Sequence, residues 1–203
     1  LGNKVNLEGL FYSSIAKYKL FFKDAFILFS PESFIRTEDN RIFTYPMKGT
    51  IDAGLPDARK LLLANEKEHW EHNTIVDLMR NDLSMVSSKV RVARFRYIDH
   101  LKTSYKNLLQ MSSEIQGNLP ENWHENVGGI LCTLLPAGSI SGAPKKRTLE
   151  IIAASEKRPR GYFTGVFGVF DGQNIDSAVN IRFIEYREGQ YYYRSGGGIT
   201  ALS

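Results

Sequence analysis

The sequence contains a single cysteine, Cys132, among 203 residues, so the chain cannot form an internal disulfide. Proteins of this size without disulfides are typical of a reducing cytoplasm. The sequence also lacks any run of the roughly 18 apolar residues that a membrane-spanning helix needs, and its first residues do not follow the pattern of a signal peptide. We therefore predict a cytoplasmic protein that does not contact a membrane.

A concentrated patch of basic residues is missing too. The formal net charge is +4, but the lysines and arginines are scattered, and the densest basic cluster is the stretch PKKR at 144–147. Domains that bind nucleic acids usually carry a basic stripe or face. We predict no nucleic-acid partner, and the local basic groups suit a small anionic substrate equally well.

Internal repeats and low-complexity segments are also absent, which excludes solenoids and disordered linkers. Residues 57–79 follow a helical pattern. Strand-like segments separated by turns cover 22–35, 41–51, 89–99, 162–170, 176–186 and 190–195. This mixture predicts a single α+β domain over residues 1–203, with antiparallel sheets packed against helices.

Three further local patterns carry predictions. Apolar side chains at helical spacing predict a helix over 101–115. Pro144 is suited to the first turn of another helix, after a loop rich in glycine and serine. Cys132 lies in an apolar, strand-like run, so we predict that it is part of the core.

Glu68 and Glu71 stand three residues apart in the helical segment, so they share one helix face about one turn apart. Two neighbouring carboxylates repel each other unless a cation lies between them, and Mg²⁺ prefers such oxygen ligands. The alternative is an ordinary exposed helix face with lysines nearby. On spacing alone the exposed face is the simpler explanation.

The sequence has two glycine-rich loops, at 136–146 and 195–198, in which successive backbone N–H groups can point at an anion. Arg182 lies in the largely apolar stretch VNIRF, predicted to be a strand, where its guanidinium needs an acidic partner. That partner is either a substrate carboxylate or a structural salt bridge. Glu32 and Lys48 each lie beside a turn, and by themselves they are most simply explained as solvated side chains.

Seven stretches together resemble the chorismate-utilising enzymes, a family that includes the anthranilate, aminodeoxychorismate, isochorismate and salicylate synthases. In order they are SPESF, YPMKGT, KEHWEHNTIVDLMRND, PAGSISGAPKKRTLEII, RGYFTGVFGVF, VNIRF and SGGGI, and they span residues 30–199. Any one of them is weak evidence. Their common order and spacing carry the resemblance, which implies the fold of anthranilate synthase component I.

The resemblance implies a role for each matching residue. Glu71 corresponds to the family's Mg²⁺-binding glutamate, with Glu68 as its neighbouring carboxylate. Arg182 corresponds to the arginine that binds a carboxylate of the substrate, chorismate. The remaining substrate-binding positions implied by the resemblance are Gly49, Thr50, Phe163, Gly196, Gly197 and Gly198.

Lys48 decides which subfamily the resemblance implies. Anthranilate synthases have an alanine in the corresponding motif, whereas aminodeoxychorismate synthase component I has a nucleophilic lysine. Glu32 then corresponds to that subfamily's general acid. The implied reaction converts chorismate and ammonia to 4-amino-4-deoxychorismate for folate and para-aminobenzoate synthesis, and a separate glutamine amidotransferase subunit supplies the ammonia.

Departures from the family pattern leave alternatives open. Gln110 replaces a histidine that the resemblance places in a helix, and Phe163 lacks the hydroxyl of the family's tyrosine. A second metal-binding glutamate is expected after residue 203, so we expect the domain to be truncated at both ends. The alternatives are an anthranilate or isochorismate synthase with an incidental lysine, and a chorismate-binding homologue without activity.

Overall fold

The computed structural model describes residues 6–103 and 106–199. Its helices are α1 (Leu7–Ser13), α2 (Ala58–Ala64), α3 (Glu66–Ser84), α4 (Val127–Leu134), α5 (Gly138–Ser141) and α6 (Lys145–Ser155), with a 3-10 turn at Trp123–Asn126. Its strands are β1 (Tyr18–Phe22), β2 (Phe26–Ser30), β3 (Ser33–Glu38), β4 (Arg41–Thr44), β5 (Met47–Asp52), β6 (Ser88–Lys102), β7 (Asn107–Asn118), β8 (Val166–Phe170), β9 (Ile175–Val179), β10 (Phe183–Arg187) and β11 (Gln190–Arg194). No single helix in these ranges is long and apolar enough to cross a membrane; the bent pair Trp123–Ser141 and Lys145–Ser155 meets that test by length and composition alone.

The strands form two antiparallel sheets, which confirms the predicted α+β class. The smaller sheet has the order β1-β2-β10-β11, and the larger has the order β5-β7-β4-β3-β9-β8, with β6 also paired to β7. Strand β7 pairs with β6 along one edge, and its other edge pairs first with β5 and then with β4. This arrangement holds β5 beside the main helix, α3.

The main core lies between the larger sheet and α3. Four buried residues recur at helical spacing on one face of this helix: Ile75, Val76, Met79 and Leu83. They belong to the same apolar cluster as Ile42 and Ile115 of the sheet and Trp123 of the 3-10 turn. A stripe of this width is what an amphipathic helix needs to lie on a sheet.

Helix α3 begins after Asn65, whose side-chain oxygen accepts a hydrogen bond from the backbone N–H of Glu68 at 3.1 Å. The sequence predicts one continuous helix over 57–79, but Asn65 has extended backbone angles and separates α2 from α3. An asparagine at this position caps a helix better than it continues one. The break allows Leu62 of α2 to pack on β7 next to Met111.

The helix predicted over 101–115 is wrong, because this segment forms the end of β6 and most of β7. Leu101 and Leu108 pair across the two strands, and Met111 is fully buried in the sheet. Pairing with neighbours far away in the chain has overridden the local apolar spacing. Tyr105, which belongs to the predicted helix, lies outside the described residues.

Two other local predictions are wrong. Cys132 is exposed on helix α4, since Ile130 and Leu134 form the buried face of that helix. Arg182 does not lie within a strand. It falls between β9 and β10 with a φ of 55°, where the chain leaves the larger sheet and enters the smaller one.

We expect Ile115→Ala to lower the free energy of unfolding by about 2–5 kcal/mol, because the side chain is fully buried and its truncation leaves a cavity. The matched control is Ile151→Ala on α6, where the side chain is 51% exposed and the same truncation costs about 0.5 kcal/mol or less. Urea unfolding followed by circular dichroism measures both. Equal losses would contradict the position of the core.

Candidate functional site

Lys48 lies on β5 at a point where the pairing with β7 is irregular. The register of the two strands shifts between Met47 and Thr50, and Gly49 has a φ of 85°. Glycine adopts that conformation without strain, whereas other residues rarely do. The irregularity takes Lys48 and Gly49 out of the regular ladder, and both of them contact helix α3.

The amino group of Lys48 forms an ion pair with Glu71. Its Nζ atom lies 3.3 Å from Glu71 Oε2, and the two side chains are 35% and 15% exposed. Lys67, one turn earlier on α3, approaches the other carboxylate oxygen at 3.9 Å. Glu71 is therefore a largely buried carboxylate between two lysines that come from different elements.

Glu68 lies beside Glu71 on α3 and also faces β5. Its Oε2 atom would be only 3.2 Å from a β-carbon placed on Gly49. Mg²⁺ commonly takes one or two carboxylates and completes its shell with substrate oxygens and waters, so this donor pair fits the ion. In the described ranges, no group of three or more His, Cys, Asp or Glu side chains is arranged to hold a metal.

Glu32 lies in the turn between β2 and β3, and its carbonyl accepts a hydrogen bond from the N–H of Val179 at 3.1 Å. Burial is the main influence on the Glu32 carboxyl and raises its pKa. The positive charges of Lys48 and Arg182 act in the opposite direction, as would a hydrogen bond donated by the Ser139 hydroxyl. Because the net change is upward, this carboxyl keeps its proton to a higher pH than an exposed glutamate does.

Arg182 approaches Glu32 from the chain reversal between β9 and β10. Its side chain is exposed, and none of the ion pairs within 4.0 Å in the described part of the chain includes it. Within those residues the structural salt bridge that the sequence allows is not formed. The guanidinium is therefore open to an anionic ligand.

The glycine loop after β11 lies close to both Lys48 and Phe163. A β-carbon on Gly198 would lie 3.5 Å from Lys48 Nζ, and one on Gly196 would lie 4.0 Å from the ring of Phe163. Phe163 itself packs on Phe183 of β10, with ring centroids 6.0 Å apart. The loop is exposed and belongs to no strand or helix. Its backbone therefore lines the space in front of Lys48.

The family model of chorismate binding enzymes matches residues 10–203. The chain belongs to the chorismate-binding enzyme family. The chain is 58% identical over 203 residues to an uncharacterized PabA-like protein of Haemophilus influenzae, a match that covers 100% of the chain and 62% of the relative. It is 37% identical over 182 residues to anthranilate synthase component 1 of Mycolicibacterium smegmatis, which covers 86% of the chain and 34% of that protein.

Solved structures show the same fold as this chorismate-binding enzyme. Anthranilate synthase component I from Streptococcus pneumoniae TIGR4 has a TM-score of 0.74 at 28% identity, over 90% of the chain and 41% of that protein. The menaquinone-specific isochorismate synthase from Escherichia coli has a TM-score of 0.67 at 21% identity, over 81% of the chain and 38% of that protein. The predicted family and fold are confirmed, and the chain spans about three fifths of the length of its PabA-like relative.

Gln110 of the chorismate-binding enzyme lies in strand β7, directly opposite Thr50 of β5. The helix that the resemblance implied for this position is therefore wrong. Thr50 is exposed next to the irregular part of β5, the strand that carries Lys48, and Gln110 lies on the strand paired with it. The exchange of histidine for Gln110 thus alters the sheet beside the site rather than a separate helix.

Sequence reasoning missed a polar group next to Glu32. Asp82 near the end of α3 is paired with Lys145 at the start of α6, with Oδ2 and Nζ 2.8 Å apart. Asp82, Ser139 and Glu32 all line one small cavity. Asp82 alone looks like a helix-end cap, and Lys145 looks like part of a basic cluster. No local pattern could join them, because 63 residues separate them in the chain.

We expect Gly49→Ala to be more damaging than Gly189→Ala, although the two glycines have similar φ values of 85° and 79°. Both substitutions strain the backbone by about 1–2 kcal/mol. Only at Gly49 would the new β-carbon also approach Leu62 Cδ1 at 3.1 Å and Glu68 Oε2 at 3.2 Å, while nothing lies within 4 Å at Gly189. The crowding adds about 1–3 kcal/mol.

Urea unfolding measures the two losses of stability, and calorimetric titration with chorismate measures the effect on the site. Gly49→Ala should weaken chorismate binding, and Gly189→Ala should not. Equal behaviour of the two variants would show that Glu68 does not pack against β5.

Proposed function

We propose that the full-length protein is aminodeoxychorismate synthase component I, which converts chorismate and ammonia to 4-amino-4-deoxychorismate. The position of Lys48 is the observation that supports this choice. Its amino group lies beside Glu71 and the glycine loop and close enough to Glu32 to act on its pKa. A primary amine at this point can act as a nucleophile, whereas the alanine of the anthranilate synthases cannot.

The site offers a separate group for each carboxylate of chorismate. Arg182 is exposed and free of carboxylate partners in the described ranges, so its guanidinium can bind one carboxylate with two parallel hydrogen bonds. The backbone of Gly196–Gly198 can direct N–H groups at the other end of the substrate. Fixing both ends orients the ring over Lys48, and such orientation supplies much of the rate of an addition reaction.

Glu71 and Glu68 would hold the Mg²⁺ ion, and when bound the ion would offset the negative charge of the substrate's ring carboxylate. Glu71 also faces Lys48 at 3.3 Å and Lys67 at 3.9 Å. Two lysines thus place positive charge beside this largely buried side chain. Ionised oxygens are the form that binds a hard cation.

Lys48 forms the covalent intermediate. Its ammonium, paired with Glu71 in the free site, first gives up a proton to solvent. The resulting neutral amine attacks ring carbon C2, the ring double bonds shift, and the C4–O bond breaks. Ammonia then attacks C4, the double bonds shift back, and the bond between C2 and the lysine nitrogen breaks, which regenerates the amine. The ammonium formed at C4 returns one proton to the Glu32 carboxylate. The flexible stem of lysine allows the nitrogen to reach the ring and then to withdraw from it.

Glu32 gives its proton to the departing C4 hydroxyl, which leaves as water. The acid must therefore be protonated in the resting site, and burial of Glu32 favours that form. The two carboxyl groups therefore have different surroundings. Glu71 lies between two lysines, whereas desolvation dominates at Glu32 and raises its pKa.

Ammonia comes from a separate glutamine amidotransferase subunit in this proposal. Such an enzyme needs an activated cysteine nucleophile. The single cysteine, Cys132, is exposed on helix α4, and none of the residues assigned to the site lies on that helix. We place the reaction in the cytoplasm, in keeping with the reduced state of a lone cysteine.

Lys48→Ala should lower kcat for aminodeoxychorismate formation by more than about a thousandfold, because the covalent route is lost. The matched control is Lys67→Ala, which removes the other lysine beside Glu71 and should change kcat by less than about threefold. Both assays use the full-length protein with ammonium as the nitrogen source. Mass spectrometry of the wild type should detect the adduct on Lys48. An unchanged rate in Lys48→Ala would rule out the nucleophile.

Glu32→Gln should lower kcat by about 10²–10⁴-fold, the usual contribution of a general acid. In the wild type, kcat should fall as the pH rises through the pKa of Glu32, because the acid then loses its proton. Burial raises this pKa, so the fall occurs at a higher pH than for an exposed glutamate. The variant should lack this fall, whereas Glu38→Gln, at the exposed end of β3, should keep it. If kcat of Glu32→Gln still falls over the same pH range, the proton given to the leaving hydroxyl comes from another group.

Anthranilate synthase is the second candidate, because a relative of that name is 37% identical and a structure of that name has a TM-score of 0.74. Product identification after incubation of the full-length protein with chorismate, Mg²⁺ and ammonium distinguishes the two. Anthranilate or isochorismate as the main product would refute our proposal. Chorismate binding in calorimetry without any product would instead identify a homologue that binds but does not react.

A further inference from the structure

A small cavity lies behind Glu32, between helix α3, strand β3 and residues 134–139. Its volume is about 20 Å³, which is space for one water molecule. Its polar lining includes Glu32, Asp82 and Ser139, and most of the other lining residues are apolar. Ser139 Oγ is buried and has no hydrogen-bond partner of good geometry among the described residues. An unpaired hydroxyl beside a cavity of this size points to a bound water.

Asp82 is fixed on the far side of this cavity. Its Oδ2 atom accepts a hydrogen bond from Lys145 Nζ at 2.8 Å, and the same ammonium donates to the carbonyl of Leu134 at 3.2 Å. A β-carbon on Gly138 would lie 3.0 Å from Asp82 Oδ2, so the carboxylate lies against the backbone just before Ser139. An ionised carboxylate can only accept hydrogen bonds.

We propose that the cavity binds one water molecule that connects Ser139 to Asp82, and that Asp82 is a positioning residue for the general acid Glu32. Since Asp82 can only accept, the water donates to Asp82 and accepts the single hydrogen of the Ser139 hydroxyl. Glu32 then faces the lone pairs of Ser139 instead of its hydrogen. Lone pairs disfavour a neighbouring carboxylate, so this chain of hydrogen bonds keeps Glu32 protonated.

The positive charges around Glu32 explain why the hydrogen bonds between Asp82, the water and Ser139 would matter for its protonation. Lys48 from β5 and Arg182 from the β9–β10 reversal both favour the ionised form of Glu32. A hydrogen bond donated by Ser139 would favour it further. By holding the Ser139 hydrogen, Asp82 removes one of these three influences. Lys145 acts only through Asp82, whose carboxylate it holds in place.

Asp82→Asn tests this direction of hydrogen bonding. The asparagine keeps one oxygen for Lys145 and gains an NH₂ group. This group can donate to the water and so reverse the direction of the hydrogen bonds between the water and Ser139. Ser139 then donates to Glu32, and the pKa of Glu32 should fall by about one unit. Infrared difference spectra of the full-length protein, with Glu32→Gln as the reference, follow the carboxyl band of Glu32 against pH. Asp77→Asn, which alters a surface pair with Arg80 on the same helix, should leave the pKa of Glu32 unchanged.

The Ser139→Ala background separates the water chain from a direct effect of the Asp82 charge. The charge acts across the cavity with or without a hydroxyl, whereas the chain needs Ser139. In that background we expect Asp82→Asn to shift the pKa of Glu32 by less than about a third of its effect in the wild type. A full shift in the Ser139→Ala background would overturn the proposal that a water links Ser139 to Asp82. The absence of any pKa shift in Asp82→Asn alone would overturn it as well.

Ser139→Ala alone and a crystal structure give two more measurements. The single variant should lower the pKa of Glu32 slightly or leave it unchanged, because only the lone pairs of the hydroxyl face Glu32 while its hydrogen points toward the water. A rise would mean that Ser139 donates to Glu32 and would overturn the proposal. A crystal structure of the wild type should show an ordered water within hydrogen-bond distance of Ser139 and Asp82, and an empty cavity would overturn it too.

This role of Asp82 rests on the proposed function of Glu32, yet the two can fail separately. If Glu32→Gln keeps the full rate while Asp82→Asn still lowers the pKa of Glu32, the general acid is wrong and the water chain stands. If Glu32→Gln loses activity and Asp82→Asn leaves that pKa unchanged, the acid stands and the water chain is wrong.

Discussion

The antiparallel pairing of β7 is the constraint on which the rest of the structure depends. Its two edges hold β6 on one side and β5 and β4 on the other, and α3 lies on the resulting sheet. His72 of α3 is fully buried with Nε2 2.7 Å from Ser113 Oγ of β7. Burial lowers its pKa to about 4, so the ring is neutral near pH 7 and can share this hydrogen bond. Helix and sheet are thereby fixed to each other, and Glu71, the preceding residue, is held against β5.

The site forms where this rigid frame is locally irregular. The register shift in β5 and the positive φ of Gly49 release Lys48 from the regular ladder, while α3 supplies Glu68 and Glu71 from the opposite side. Glu32 enters from the turn between β2 and β3 and is half-buried. Because these charged groups come from several elements, the fold decides which groups surround each of them. The two glutamates Glu32 and Glu71 therefore have different surroundings in one site.

The parts of this arrangement that could be predicted are those set by short-range geometry. The common face of Glu68 and Glu71 follows from helical spacing, and the division of the chain into strand-like segments separated by turns follows from the residues that favour each. Predictions failed where distant partners decided the outcome. Residues 101–115 became strands because two long strands could pair, and Cys132 is exposed because its neighbours on α4 face the core. The family resemblance selected the residues of the site, but not the contacts among them.

The sequence by itself therefore determined the family, the α+β class and the chemical groups that the site has at its disposal. Only the tertiary structure decided which of these groups meet. Lys48 and Glu71, and likewise Asp82 and Lys145, are brought together by sheet pairing and helix packing. A charge beside a turn is solvated or reactive according to its burial and its neighbours. Burial and neighbours are properties of the folded chain, and no local pattern of residues records them.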